Sequence, residues 1–256
     1  MRDITTVPHF KPSEDIVEVL MHKTQATDPG FFRNLVAYYF CQVASMMRVD
    51  ISTHDRGVIP VNMYAVNLAT SGFGKGFSTN IMEEQVIGEF RTNFLEYTID
   101  NLAQKNLYKI ATSRAAKKAT DPEEELLLVQ KEYEALGAMP FSFDSGTTPA
   151  VKQVRHKALM ANAGSLNLIM DEAASNILGN VEVLNTFLEL FDVGKVKSKL
   201  TKNTAESKRN EDIHGRTPTN MMLFGTPIKL LDGGKVEEEF DTMLSIGYAR
   251  RCFFGF

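Results

Sequence analysis

Gly72-Phe73-Gly74-Lys75 follows an apolar run and opens a long stretch without proline. Glycines let several backbone N–H groups approach an anion closely, and an ammonium just past them adds a full positive charge. That order of residues suits the cradling of phosphate. The usual spelling of such a loop is G-x-x-x-x-G-K-[ST]; here it is Ala69-Thr70-Ser71-Gly72-Phe73-Gly74-Lys75-Gly76. Ala69 in place of the first glycine is a mild change. Gly76 in place of the hydroxyl residue touches metal binding directly, because that hydroxyl normally ligates Mg²⁺. Thr70, Ser71, Gly72, Phe73, Gly74, Lys75, Gly76 and Phe77 form the candidate phosphate-binding set, with Lys75 against the β- and γ-phosphates. The competing interpretation is a plain strand–turn–helix with a surface lysine.

A second constellation lies downstream. Leu166–Glu172, LNLIMDE, is an apolar run ending in two carboxylates. In nucleotide hydrolases such a pair divides its work: Asp171 would organise Mg²⁺ and Glu172 would polarise the attacking water. An ordinary strand meeting an Asp-capped helix would look the same. Asn220–Thr226 is a third apolar run, and Thr226 at its end is the candidate sensor of the γ-phosphate or water; Asn220, at its start, is a weaker one. Arg250 and Arg251 precede the last apolar run, and either is a candidate finger onto a neighbouring subunit's phosphate. A solvated or ion-paired arginine doublet is the alternative. The segment Lys195–Arg209 is rich in lysine and free of aromatics, so Lys195, Lys197, Lys199 and Lys202 are candidates for tracking a nucleic-acid backbone without base stacking. A solvated loop fits equally well. His156 and His214 show no metal-ligand spacing.

These residues need elements to hold them. Residues 1–12 read as an extended arm, 13–24 as a Ser-capped helix and 30–47 as a packed apolar helix. Asp50–Pro60 reads as a polar loop. Val61–Ala69, Ser165–Asp171, Asn220–Thr226 and Arg251–Phe256 are runs suited to strands buried on both faces, and Met139–Phe143 to a further short strand. Helices are expected over 75–115, interrupted near Gly88, and over 123–136, 148–163 and 182–191; residues 194–217 form a basic loop. Strands alternating with helices predict an α/β fold with a central, mostly parallel sheet. The phosphate loop then sits at the carboxyl end of its first strand, where such sheets bind ligands.

Composition agrees with a packed domain. The chain has 256 residues, 43% hydrophobic and 23% charged, with a net charge of −4 that argues against a dedicated DNA-coating protein. Cys41 and Cys252 read as reduced thiols rather than a disulfide framework. No apolar run is long enough for a membrane helix and no signal peptide is visible, so a cytoplasmic location is expected. The apolar run at 251–256 reads as the start of a core that continues beyond the sequence given, with a short final edge strand as the alternative.

The ordered set S-G-x-G-K, F-D-S-G-T-T-P-A at 143–150, L-I-M-D-E-A at 168–173, F-L-E-L-F-D at 187–192 and G-Y-A-R-R-C-F-F at 247–254 resembles primase-associated, helicase-like P-loop ATPases of phages, plasmids and mobile elements. The resemblance covers roughly residues 60–256. It implies a P-loop NTPase with a RecA-like or AAA+-like core over 61–256, after an N-terminal arm and helices over 1–60. It also implies ATP and Mg²⁺ at the loop, a homo-hexameric ring, ATP-driven movement on single-stranded DNA, and a fused or associated primase. A non-hydrolysing nucleotide-binding assembly module and a DNA-packaging or partition ATPase are the other functions such a core serves.

Overall fold

The computed structural model describes residues 8–176, 181–195, 213 and 215–256. Two helices come first, α1 (Lys11–Thr24) and α2 (Gly30–Met46). Helix α2 buries Phe31, Phe32, Leu35, Tyr38, Tyr39 and Met46, because its apolar residues wrap most of the way round. The stretch Asp50–Pro60, expected as a loop, is an antiparallel hairpin of β1 (Asp50–Thr53) and β2 (Gly57–Pro60). Its turn is closed by Gly57 at φ 70. The charged tip His54-Asp55-Arg56 masks the short apolar alternation of Ile51, Val58 and Ile59.

β3 (Tyr64–Leu68) runs through the glycine turn into α3 (Lys75–Ile81). Wider π-helical turns at Met82–Val86 and Phe94–Thr98 flank α4 (Gly88–Asn93) and lead into α5 (Ile99–Lys118), so the long helix is interrupted near Gly88 as expected. α6 (Pro122–Ala135) and α7 (Thr148–Ala161) start where local chemistry says they should. Asp121 and Thr147 accept from Glu124 N and Ala150 N respectively, and each helix has a proline in its first turn. There follow β4 (Leu166–Met170), α8 (Ala173–Asn176), α9 (Val181–Leu190), β5 (Thr219–Gly225), α10 (Pro227–Leu230), α11 (Lys235–Met243) and β6 (Cys252–Gly255). Helix α11 was not among the expected elements, although Val236, Phe240 and Met243 recur at helical spacing behind Gly233-Gly234. The strand expected at 139–143 does not form. Phe143 makes one parallel bridge to Leu168 and pairs no further.

The four strands β3 to β6 make an all-parallel sheet in the order β4-β5-β3-β6, with helices on both faces. Alternate residues of each strand enter opposite cores, as the two-residue period of a strand requires. Ala65, Met222 and Phe224 pack with α1, α2 and α5 on one face. Tyr64, Val66, Met221 and Leu223 pack with α9 and α11 on the other. Strand β6 lies at the edge rather than buried on both faces. Phe253 is 63% exposed and Phe254 44%.

Two buried polar arrangements set the register. Asn220 accepts from Met63 N at 3.0 Å and donates to Ser45 Oγ at 2.5 Å and Asn167 Oδ1 at 2.9 Å, tying β3, β4 and α2 to β5. Asn34 of α2 donates to Asn67 Oδ1 at 2.5 Å and to Phe253 O at 3.3 Å, while Asn67 donates to Phe31 O. The large majority of buried polar groups are satisfied in this way. The second arrangement clamps α2 over β3 and β6, two residues before the glycine loop begins.

Candidate phosphate-binding cleft

The loop from Ala69 to Gly74 leaves the carboxyl end of β3, and Ala69 N donates to Gly225 O at 3.0 Å, anchoring it to the end of β5. Gly72 and Gly74 hold φ of 84° and 92°, a region that favours glycine. A Cβ at Gly72 or Gly76 would meet no atom within 4 Å, so both backbones face open space. At Gly74 it would lie 2.8 Å from Thr24 Cγ2, so α1 backs the loop closely. Thr70, Ser71 and Gly76 are exposed, as is Phe77 at 51%. Phe73 behaves differently from the rest of its set. Its ring lies 5.0 Å from Phe31 edge-on and 5.6 Å from Phe32 in a stack, so the side chain anchors the loop into the core. Phe73 has only its backbone to offer a ligand.

Lys75 opens α3 and reaches across the sheet. Its Nζ donates to Asp171 O at 2.7 Å, lies 3.5 Å from Asp171 Oδ1 and stands 5.7 Å above the Phe224 ring. The strand order explains how residues so distant in sequence meet. β5 lies between β3 and β4 with Leu68 level with Gly225 and Met170 level with Leu223. The ends of three strands therefore bring the glycine loop, Thr226 and Asp171-Glu172 to one edge. Asp171 is 80% exposed and its pairing with Lys75 is open to exchange. Glu172 is more enclosed, 27% exposed, with Lys229 Nζ at 3.5 Å from Oε2. Lys229 was not singled out in the sequence; its signal was the Thr-Pro-x-Lys run that turns β5 into α10. Thr226 caps α10 through its backbone carbonyl, and its hydroxyl makes no cap bond.

Arg250 and Arg251 sit at the other end of the sheet. Tyr64 is level with Cys252, so both arginines precede the amino end of β6. They lie roughly 17 Å from the start of the loop, at about 3.3 Å per strand residue. Arg251 is held by Asp192 at 3.1 Å and Gly247 O at 3.1 Å, and lies over Phe191. Arg250 is exposed. Neither arginine joins the cleft of its own chain. Lys195 is exposed, whereas Lys197, Lys199, Lys202 and His214 lie outside the described residues. His156 is structural: it and Arg114 hold Glu132, at 2.8 and 2.6 Å.

Cys41 and Cys252 are free thiols; burial raises both, Cys252 to about 12. Among the described residues no group of three His, Cys, Asp or Glu side chains could hold a metal by itself, and no helix is long and apolar enough to cross a membrane. A groove of about 1210 Å³ runs between α1, α2, the hairpin and β6, lined by Phe10, Phe40, Ile59 and Phe253, away from Lys75. No family model, curated protein or solved structure matches the chain.

Proposed function

We propose that this chain is the ATP-hydrolysing core of a ring-forming motor on single-stranded DNA, of the kind that drives phage-type replication helicases. The observation that carries the proposal is the meeting of Lys75 with Asp171 at one sheet edge, behind two left-handed glycines and beside Thr226 and Glu172. The open space before Gly72 and Gly76 fits a phosphate chain against the loop amides. Lys75 exchanges Asp171 for the β- and γ-phosphates. Asp171 would hold Mg²⁺, which commonly takes one or two carboxylates and completes its shell with phosphate oxygens and water. Bound there, Mg²⁺ would neutralise charge on the phosphate oxygens. Glu172, fixed by Lys229, orients the attacking water and accepts its proton. The hydroxyl of Thr226, which makes no cap bond, reads the γ-phosphate from the intervening strand end.

Arg250, exposed on the far edge, is suited to a neighbour's site rather than its own, as a homo-hexamer requires; Arg251 supports it from its anchor on Asp192. Lys195, Lys197, Lys199 and Lys202 would follow the DNA backbone, with a primase fused or associated and the host cytoplasm as the location. Gly76 favours a second reading, a nucleotide-binding assembly module without turnover. ATP turnover with and without single-stranded DNA separates the two. Lys75→Ala and Glu172→Gln should each abolish DNA-stimulated turnover, and unchanged turnover in both sinks the motor assignment. Nucleotide binding without turnover at every Mg²⁺ concentration favours the module.

A further inference from the structure

The amino edge of the sheet carries a second concentration of cationic chemistry. Arg48, just past α2 at φ 53, donates Nη2 to Ala158 O at 3.1 Å and Nη1 to Arg216 O. Arg216, just before β5, binds Asp50 Oδ2 at 2.5 Å and Val58 O at 3.2 Å. Arg155 stands on α7 one turn before Ala158. Its Nε is shut off from solvent with no acceptor among the described residues, and so is Nε of Arg48. Burial, then the charge of Arg216, drives Arg48 down to about 10, with Arg155 acting in the same direction and Asp50 against it. Arg155 is lowered by burial alone.

Asp50 thus pairs with Arg216 and acts on Arg48, while burial alone acts on Arg155. A half-buried cation without a counter-charge is costly, and removing solvent from it strengthens whatever anion it meets. Planar forks with spare N–H donors match phosphate oxygens. We propose that Arg48, Arg155 and Arg216 form a phosphate-binding site separate from the Lys75 cleft. The two are set apart by the length of β5, roughly 23 Å at 3.3 Å per residue. The chemistry recognised is a phosphate group, carried either by a free anion or by a polynucleotide backbone.

The test uses the full chain. In thermal melting, inorganic phosphate at several times its dissociation constant should raise Tm by on the order of 2–4 °C over chloride of equal ionic strength. Lys75→Ala silences the other cleft, and in that background Arg155→Gln and Arg216→Gln should each remove the rise that remains. Two variants on different elements guard against one that fails to fold. In a second arm, anisotropy of a labelled oligo-dT is followed against salt. If the backbone is the source, Arg155→Gln weakens binding and flattens the log–log salt slope by about 0.7. If the free anion is the source, phosphate raises Tm in the Lys75→Ala background and oligo-dT binding is unchanged by Arg155→Gln. No rise with phosphate together with no effect on oligo-dT overturns the site, as does a rise that both glutamine variants retain.

Discussion

Gly74→Ala probes how closely α1 is fitted against the glycine loop. Alanine at φ 92 costs about 1–2 kcal/mol in backbone strain. Its Cβ would also lie 2.8 Å from Thr24 Cγ2 and 3.3 Å from Thr24 Cβ, and overpacking of this kind costs about 1–3 kcal/mol. The sum is about 3 kcal/mol, which lowers Tm by roughly 6–12 °C for a chain of this length. Thr24→Ser deletes the clashing methyl and keeps the hydroxyl that donates to Leu20 O at 2.8 Å. The double variant should therefore recover about 1–2 kcal/mol, the steric part, and leave the strain. Gly72→Ala is the internal control, having φ 84 but no atom within 4 Å of its Cβ. It should lose the strain term alone and show no coupling to Thr24→Ser. Denaturant melts of the six proteins in the two cycles, with ATP titrations alongside, measure all of this. Equal coupling of Thr24→Ser to both glycine variants, or none to either, would refute the fitted contact between α1 and the loop.

Two further outcomes follow from the same geometry. The hydrogen bond from His156, with Arg114 beside it, lowers the Glu132 carboxyl from 4.5 to about 2. A depressed folded-state value means stability that is complete above the unfolded value and lost as pH falls from about 4.5 toward 2. At about 1.36 kcal/mol per unit this amounts to about 3 kcal/mol. Glu132→Gln should flatten the acid limb of a Tm-against-pH curve in that window, and an unaltered limb would count against the ion triad. Gly76→Ser enters open space, so it should fold normally and lower the Mg²⁺ concentration for half-maximal turnover roughly 2- to 10-fold, the worth of one added ligand bond. An unchanged Mg²⁺ dependence would show that Asp171 and water do not leave a vacant position there.

What the residues determined alone is local. Asp121 and Thr147 start their helices because a side-chain oxygen next to an orphan N–H satisfies it wherever the chain goes. The three central apolar runs became strands because uninterrupted apolar residues fit a sheet covered on both faces. Gly72, Gly74 and Lys75 marked a glycine turn with a cation at its end, because positive φ and an ammonium are properties of those residue types. The tertiary structure decided what no spacing encodes. The order β4-β5-β3-β6 set Lys75 on Asp171, and strand order depends on how helices cover two faces at once. Phe73 turned inward because Phe31 and Phe32, on a helix forty residues earlier, present an aromatic site. Arg251 found Asp192, and His156 found Glu132, through pairings between elements. The same holds for Arg48, Arg155 and Arg216, scattered in sequence over the end of α2, the middle of α7 and the approach to β5.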